Sequence, residues 1–471
     1  MPSLVKNILE IFKKNKNAKA ISAYMFGNIF YKAFPLIMMP ILTKMLSTAD
    51  YGLANTYVSW VSIIACLNGF GLGNAIRVAY VDYRNNLKQY MSSAMMMSFI
   101  QFIVVSAIGL IILKIFFGNV PFLVGVCCAV HSYMTCIVNA YIQKFMMEVK
   151  YTKKVLLQTL PNIAIGLLSI IFIYLTSDNK YLGRIFAFVV VYVIVGSILI
   201  IYTFLKGRIL FNFEYWKYGF KFSVPLVFSG LALVILSSFD TTMLTAIVGA
   251  SEAGIYSVTY SVGTAVLVLT SSFESVWIPW FTERIKKQKY EEINKGFQVY
   301  LITGASLITG AMLCLPEVFK LFANKSYWGG VFLLPPIVLA TFFTFLYSIA
   351  VNYEYYCKKT KIVAMNSIIA AVLNVLLNAI VIPKFGAQGA AYTTVASYVL
   401  VFIVHTLYVK RLNSNIFPLK MYCIPIFLAI VGVVISYIFI NIWVVRWLVA
   451  AFYVFVIGLI TLKNKGKVFG N

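Results

Sequence analysis

Charged residues are scarce in this sequence, since Lys, Arg, Asp and Glu make up only 11% of its 471 residues. Soluble globular proteins carry about 25%. Hydrophobic residues reach 61% instead, and a helix that crosses a bilayer needs about 20 mostly apolar residues in a row. This balance excludes a soluble enzyme and a disordered chain, and it predicts an all-α polytopic membrane protein.

Acidic residues are the scarcer of the charges, with 14 Asp and Glu against 39 Lys and Arg. In a soluble protein such a basic surplus would suggest a nucleic-acid partner. Here the basic residues lie between apolar runs, where they mark cytoplasmic loops of a membrane protein. We therefore expect no nucleic-acid partner.

Motifs for metals, disulfides and nucleotides are missing. The seven cysteines include no C-x-x-C pair and no histidine at metal-ligand spacing, so no metal site is expected. The chain also lacks a G-x-x-x-x-G-K-[ST] loop, which excludes a built-in ATPase of that type.

About fourteen apolar runs are long enough to be transmembrane helices. With the N-terminus in the cytoplasm, 30 of the 39 Lys and Arg residues fall on the inner side and 8 on the outer side. A miscounted span would scramble this alternation, so it supports fourteen spans with cytoplasmic N- and C-termini. The predicted spans, in order, are 20–42, 53–76, 90–115, 119–142, 155–176, 184–205, 222–248, 253–281, 297–319, 328–353, 362–382, 386–409, 421–440 and 443–462.

A turn motif after the first span recurs after the seventh, at an offset of 202 residues. Segments 42–52 and 244–254 share Leu-Thr at their start, a final glycine, and an acid two residues before it. The acid favours the positive end of the next helix, and the glycine allows close backbone approach. Because six spans separate the copies, we predict two parallel-repeat six-helix bundles around a central cavity, plus two extra C-terminal helices.

This repeat sets the expected domain organisation. A basic amphipathic segment, with five lysines among apolar residues, precedes the first span and is expected to lie on the inner membrane face. The predicted domains are the N-terminal amphipathic segment (1–19), the N-terminal six-helix bundle (20–205), a cytoplasmic linker (206–221), the C-terminal six-helix bundle (222–409) and the additional helix pair (421–462).

Several motifs resemble the multidrug/oligosaccharidyl-lipid/polysaccharide exporter superfamily, and the most specific is the block 374–391. Within it, the chain resembles the polysaccharide repeat-unit flippases of the Wzx type, the O-antigen and capsule translocases. The other motifs that carry the resemblance are Asp50-Tyr51-Gly52, Gly69 to Gly73 with Arg77, Asp240, and Glu252 to Tyr256.

The resemblance implies a flippase without covalent chemistry. It would move undecaprenyl-diphosphate-linked oligosaccharide repeat units from the cytoplasmic to the outer leaflet of the bacterial inner membrane by alternating access. Ion-gradient coupling is expected, with a proton or sodium ion and no other cofactor. The implied partners are the lipid-linked oligosaccharide diphosphate and membrane lipid, with a polysaccharide polymerase and chain-length or export proteins as further candidates.

Three residues are candidates for substrate binding, because a diphosphate in hydrocarbon needs cationic and polar groups in place of water. Lys32 lies within the first span and Arg77 at the inner end of the second. The alternative for Lys32 is a structural lysine paired with a buried acid, and the alternative for Arg77 is an ordinary anchor in a cytoplasmic loop. His131, in the fourth span, is the third candidate, against a role in hydrogen-bonded packing. For His405, in the twelfth span, hydrogen-bonded packing is the preferred role.

Two membrane acids are candidates for coupling or gating. Asp240 is expected to carry the coupling ion, with a structural hydrogen bond as the alternative. Glu274 lies toward the inner end of the eighth span, at the predicted level of Arg77, and we hypothesise an inner-gate ion pair between the two. Each charge within a span costs about 2.5–3.5 kcal/mol on insertion scales, so its presence calls for a reason.

Three other functions compete with the flippase. A cation-coupled multidrug exporter of the same superfamily is the main alternative, although fourteen spans and a basic first span disfavour it. A sugar polymerase or glycosyltransferase usually needs a sizeable outer loop or an acidic cluster, and the loops here are short. A channel is disfavoured because nothing repeats like a selectivity filter.

Overall fold

The structure, a computed structural model, describes residues 16–69, 71–116 and 120–468. All of its regular elements within these ranges are helical, as the composition predicts. Short 3-10 helices lie at Arg84–Asn86, Lys325–Leu333 and Leu419–Tyr422. The α-helices are α1 Lys16–Met45, α2 Thr48–Leu67, α3 Leu72–Asp82, α4 Leu87–Phe116, α5 Phe122–Met147, α6 Tyr151–Leu175, α7 Tyr181–Gly207, α8 Phe213–Ile247, α9 Ala250–Thr264, α10 Val266–Lys286, α11 Tyr290–Phe322, α12 Leu334–Tyr356, α13 Thr360–Leu412, α14 Cys423–Ile438 and α15 Trp443–Val468.

Ten helical segments in the described part of the chain are long and apolar enough to cross a membrane. A shorter apolar helix covers Trp443–Phe455. These segments confirm a multi-pass helical membrane protein, while the number of fourteen spans stays a prediction. Residues 1–15 of the expected amphipathic segment lie outside the described residues, and α1 begins at Lys16.

The chain divides into two compact units, and the division falls within helices. Unit 1 comprises Met1–Leu46 and Leu53–Val234, and unit 2 comprises Ser47–Gly52 and Ile235–Asn471. Helix α8 begins at Phe213, inside the stretch 206–221 that we expected to be a linker. Its first turns belong to unit 1.

Aromatic packing accounts for the early start of α8. Tyr215 is buried in a cluster with Tyr83 and Tyr90, whose ring centroids lie 5.0 and 5.4 Å from its own. The Trp216 indole N–H is within hydrogen-bond distance of the Ser93 carbonyl, at 3.0 Å. Aromatic side chains bury about 150–250 Å² each, so these residues bind the start of α8 to the core of unit 1.

Helix α13, in unit 2, is a hairpin of two helices rather than one straight rod. Gly386 interrupts it with φ 55° and ψ −137°, a backbone conformation that favours glycine. Beyond the turn, the Thr393 hydroxyl donates to Asn378, although fifteen residues of straight helix span about 22 Å. The backbone N–H of Ala387 donates to Glu252 Oε1 at 2.8 Å, so a carboxylate caps the positive end of the returning half.

The two copies of the repeat touch each other within unit 2. A Cβ atom at Gly52 would lie 1.9 Å from the Ala250 carbonyl oxygen, and one at Gly254 would lie 1.9 Å from the Thr48 carbonyl oxygen. Each glycine therefore meets the residue four positions before the other glycine. The hydroxyls of Thr48 and Ser251 lie 2.6 Å apart across the contact. Small residues at this spacing let membrane helices meet backbone to backbone, which confirms the expected close approach.

A buried arginine joins the last helix to α11. Arg446 is fully buried, and its guanidinium donates to the Leu313 carbonyl at 2.7 Å and forms an ion pair with Glu317. It also donates to the carbonyl of Phe439 at 3.0 Å. Since removing one partner of a buried ion pair is strongly destabilising, Arg446 fixes α15 to α11 within unit 2.

The glycine contact gives a stability test with a matched control. Gly254→Ala places a methyl group against the Thr48 carbonyl and is expected to destabilise the protein by about 2 kcal/mol or more, as overpacking does. Gly109→Ala, on α4, meets no atom within 4 Å and is expected to be neutral or stabilising, by up to about 1 kcal/mol. Thermal unfolding of both variants in detergent measures the difference. Equal melting temperatures would contradict the close contact.

Candidate functional site

Two of the three residues predicted to bind substrate are cations that are exposed on unit 1. Lys32 lies on α1 and Arg77 on α3, and both side chains are accessible. Neither takes part in an ion pair with the acids of the described residues. The described part of the chain therefore offers no buried acid as a partner for Lys32.

His131, the third predicted residue, is buried on α5 among aromatic rings. Its Nδ1 lies 3.1 Å from the Tyr57 hydroxyl, and its ring centroid lies 4.7 Å from that of Tyr192 and 5.6 Å from that of Phe188. These surroundings are those of a packed core residue. A role in substrate binding stays a prediction.

Asp240 is the centre of a buried polar cluster in unit 2. Its carboxylate, on α8, is only 2% exposed. Asn378 Nδ2 donates to one carboxylate oxygen at 2.7 Å, and the hydroxyls of Tyr256 and Thr394 reach the other at 2.8 and 2.7 Å. These donors come from α9 and from both halves of α13, so the hairpin at Gly386 is what assembles the cluster.

Further amide and hydroxyl groups surround the first donors. Asn378 Nδ2 also donates to Asn374 Oδ1 at 3.2 Å. The Asn374 amide nitrogen is buried, and no hydrogen-bond partner for it exists among the described residues. The cluster thus contains several carboxamide and hydroxyl oxygens beside one carboxylate, and the hydrogen bonds that the Asp240 side chain accepts in the described residues all come from neutral groups.

This arrangement accommodates Asp240 with or without a proton. The Thr394 hydroxyl lies 2.7 Å from the carboxylate and 2.9 Å from the Ala390 carbonyl, and a hydroxyl has only one proton to donate. If Asp240 is ionised, Thr394 donates to it. If Asp240 is protonated, it donates to Thr394, which then donates to the Ala390 carbonyl. Because burying an unpaired charge is costly, the ionised form calls for a bound cation.

Glu274, the second candidate acid, is half-buried on α10 in unit 2. Arg77 belongs to unit 1. The inner-gate ion pair between them stays a prediction.

A second buried acid, which the sequence analysis did not identify as a site, lies in unit 2. Glu354 on α12 and His405 on α13 are both essentially inaccessible, and His405 Nδ1 lies 2.9 Å from each carboxylate oxygen. The Tyr347 ring stacks on the imidazole at 6.0 Å. Two ionisable residues in apolar helices are a signal that they pair, so the sequence contained this information.

Metal sites of the usual kind are not found in the described part of the chain, where no group of three or more His, Cys, Asp or Glu side chains could hold an ion. The Asp240 cluster differs because its remaining oxygen atoms are amide, hydroxyl and carbonyl. Groups of this kind coordinate coupling sodium ions or hold protons in transporters.

Comparison with known families assigns the chain to one of them. The family described as "Polysaccharide biosynthesis protein" matches residues 18–284, more than half of the chain. An uncharacterized membrane protein of Haemophilus influenzae is 21% identical over 367 residues, which cover 75% of this chain and 88% of that protein. An uncharacterized membrane protein of Methanocaldococcus jannaschii is 22% identical over 284 residues, 58% of this chain and 56% of that protein.

Two solved structures show the same fold. The lipid II flippase MurJ, in an inward closed conformation, aligns with a TM-score of 0.66 at 14% identity and covers 94% of this chain and 99% of its own. An inward-facing multidrug resistance MATE family transporter of the MOP superfamily aligns with a TM-score of 0.60 at 15% identity, over 81% of this chain and 96% of its own.

The buried Glu354–His405 pair predicts a large loss of stability from a single substitution. Glu354→Ala leaves His405 without its partner and is expected to cost about 3–5 kcal/mol. Replacing both residues, with Glu354→Met and His405→Phe, should restore part of that loss, because apolar groups need no partner. Thermal unfolding in detergent gives the melting temperatures of the wild type, Glu354→Ala and the double variant.

The control is Glu283→Ala, since Glu283 pairs with Lys287 at 2.7 Å on an exposed surface. Exposed pairs contribute little, so this variant should melt like the wild type. If Glu354→Ala also melted like the wild type, the pair would not be buried as described.

Proposed function

Because the chain belongs to the polysaccharide biosynthesis protein family, we propose that it is a flippase for lipid-linked oligosaccharides. It moves undecaprenyl-diphosphate-linked repeat units from the cytoplasmic to the outer leaflet by alternating access, and it catalyses no covalent reaction. The proposed setting is the inner membrane of a bacterium, with both termini in the cytoplasm. A polysaccharide polymerase and chain-length or export proteins are the proposed protein partners.

The observation that carries this proposal is the pair of exposed cations on unit 1. Lys32 and Arg77 lie on apolar helices, are accessible, and have no acid partner among the described residues. A charge exposed on a membrane helix is costly unless it faces water or a polar ligand. Cationic side chains form their strongest hydrogen bonds with anionic oxygens such as those of phosphate, which matches a diphosphate headgroup.

The extent of the structural similarity also supports a flippase over a drug exporter. The flippase fold covers 94% of this chain, whereas the MATE fold covers 81%. A multidrug exporter for cationic compounds is the second candidate, because the chain also shares the MATE fold. The unpaired cations Lys32 and Arg77 would repel such compounds.

Asp240 is the residue that we propose for ion coupling. A buried carboxylate held only by neutral donors takes up a proton or a sodium ion when it loses access to water. Asp240 lies on α8 and its hydrogen-bond donors lie on α9 and both halves of α13, so loading and release of the ion would change how these helices are held together. This makes the Asp240 cluster suited to link an ion gradient to a conformational change.

Removal of either cation is expected to slow transport strongly. In proteoliposomes with an undecaprenyl-diphosphate oligosaccharide, Lys32→Ala and Arg77→Ala should each slow headgroup translocation by at least about tenfold, the value of one hydrogen bond to a charged group. Lys114→Ala, an exposed lysine at the end of α4, is the control and should transport normally. Export of a cationic dye against a pH or sodium gradient, without movement of the lipid-linked sugar, would establish the drug exporter instead.

Asp240→Asn tests the coupling role. The carboxamide keeps the size of the acid and one accepting oxygen but cannot titrate or supply a charge, so the folded protein should persist while the response to a gradient disappears. Translocation rates are measured with an imposed pH gradient and with an imposed sodium gradient. Asp178→Asn, an exposed acid between α6 and α7, should respond like the wild type. If Asp240→Asn still responded to both gradients, Asp240 would not be the coupling residue.

A further inference from the structure

Unit 1 contains a cavity of about 380 Å³ between α2, α3, α5 and α8. Its volume would hold about a dozen water molecules at roughly 30 Å³ each and lies at the lower end of the range for small-ligand sites. Three carboxamides line it, those of Asn74, Asn139 and Gln143. Two other cavities of unit 1 are lined almost wholly by apolar side chains, so this one is chemically distinct.

The carboxamides converge on the cavity from two helices. Asn139 and Gln143 are four residues apart on α5 and therefore share a face, while Asn74 lies in the first turn of α3. The Gln143 side-chain oxygen is buried and has no hydrogen-bond partner among the described residues. An unsatisfied buried oxygen is costly, so a ligand whose donor group reaches it would be held there.

The lining also defines which ligand fits. None of the side chains that line the cavity in the described residues is charged, and apolar walls such as Leu72 and Leu226 complete it. A carboxamide both donates and accepts hydrogen bonds. The complementary ligand is a neutral group with many donors and acceptors and a partly apolar body, which describes a sugar ring with its hydroxyl and acetamido groups.

We propose that this cavity binds one sugar residue of the lipid-linked oligosaccharide, an inference that rests on the proposed function. Asn74 precedes Arg77 by three residues, so the two lie on one side of α3, about 4.5 Å apart along its axis. A diphosphate held by Arg77 places the first sugar beside the carboxamides. Arg77 then recognises the charge common to all such lipids, and the cavity distinguishes the sugar.

Gly230 provides a way to fill the cavity without disturbing its walls. It lines the cavity on α8, and a Cβ atom there would meet nothing within 4 Å. The leucine side chain of Gly230→Leu would therefore fill the space in which we propose that the sugar binds. Gly109→Leu, at the similarly open position on α4, is the matched control for adding the same side chain outside the cavity.

The experiment measures binding of two classes of lipid to the purified full-length protein in nanodiscs. The probes are undecaprenyl diphosphate without sugar and the same lipid carrying N-acetylglucosamine, glucose or galactose. We expect the wild type to bind at least one glycosylated lipid more tightly than the sugar-free lipid. Gly230→Leu should weaken that binding by about tenfold, the loss of two ordinary hydrogen bonds, and leave the sugar-free lipid unchanged. Gly109→Leu should change neither.

Each other outcome has a distinct meaning. If the wild type bound none of these lipids, the proposed function itself would fail. If it bound all of them with equal affinity, or if Gly230→Leu behaved like Gly109→Leu, the sugar site would be overturned while the flippase proposal stood.

Native cysteines give a second measurement that does not depend on Gly230→Leu. Cys66 and Cys136 line the cavity. In a variant that retains these two and replaces the other five cysteines, a small thiol reagent should label Cys66, the more accessible of the two, and the preferred glycosylated lipid should slow the labelling. Asn139→Ala should remove that protection. Protection by the sugar-free lipid alone would contradict the proposal.

Discussion

The turn at Gly386, closed by the Glu252 carboxylate, is the contact on which the polar interior of unit 2 depends. A Cβ atom at Gly386 would lie 2.2 Å from a Glu252 carboxylate oxygen, so only glycine lets the acid reach the N–H of Ala387. By reversing α13 there, the chain brings Asn378 beside Thr393 and Asn366 within 3.5 Å of His405. Without this reversal, neither the Asp240 cluster nor the surroundings of the Glu354–His405 pair would form.

Three kinds of charged residue within the helices differ in how they are compensated. Arg446 and Glu354 are buried and paired, with Glu317 and His405, and their positions account for helix packing. Lys32 and Arg77, by contrast, are exposed on apolar helices. Asp240 belongs to neither group, because it is buried yet held only by neutral donors. Since uncompensated charge in a membrane protein is costly, the residues of the second and third kinds are the ones for which we propose a function.

The repeated turn motif shows how one local pattern serves two purposes. In the first copy, the Ser47 hydroxyl caps the helix by accepting from the Asp50 backbone N–H, and it donates in turn to the Asp50 carboxylate. In the second copy, Glu252 caps the returning half of α13 instead. The glycines behave alike in both copies, because backbone contact requires the absence of a side chain on each partner. The close helix contact thus involves both segments alike, whereas their acids have different partners.

Sequence alone determined the properties that depend on local pattern: helical membrane spans, their expected alternation of charge, and the glycines of the repeat. It also contained the spacing of Asn374 and Asn378, which places both on one helix face. Only the tertiary structure decided that Tyr256, Asn378 and Thr394 surround Asp240, that Glu354 pairs with His405, and that the start of α8 packs into unit 1. These contacts join residues from 16 to 154 positions apart, and a helical period of 3.6 residues carries no information about which distant helix faces which.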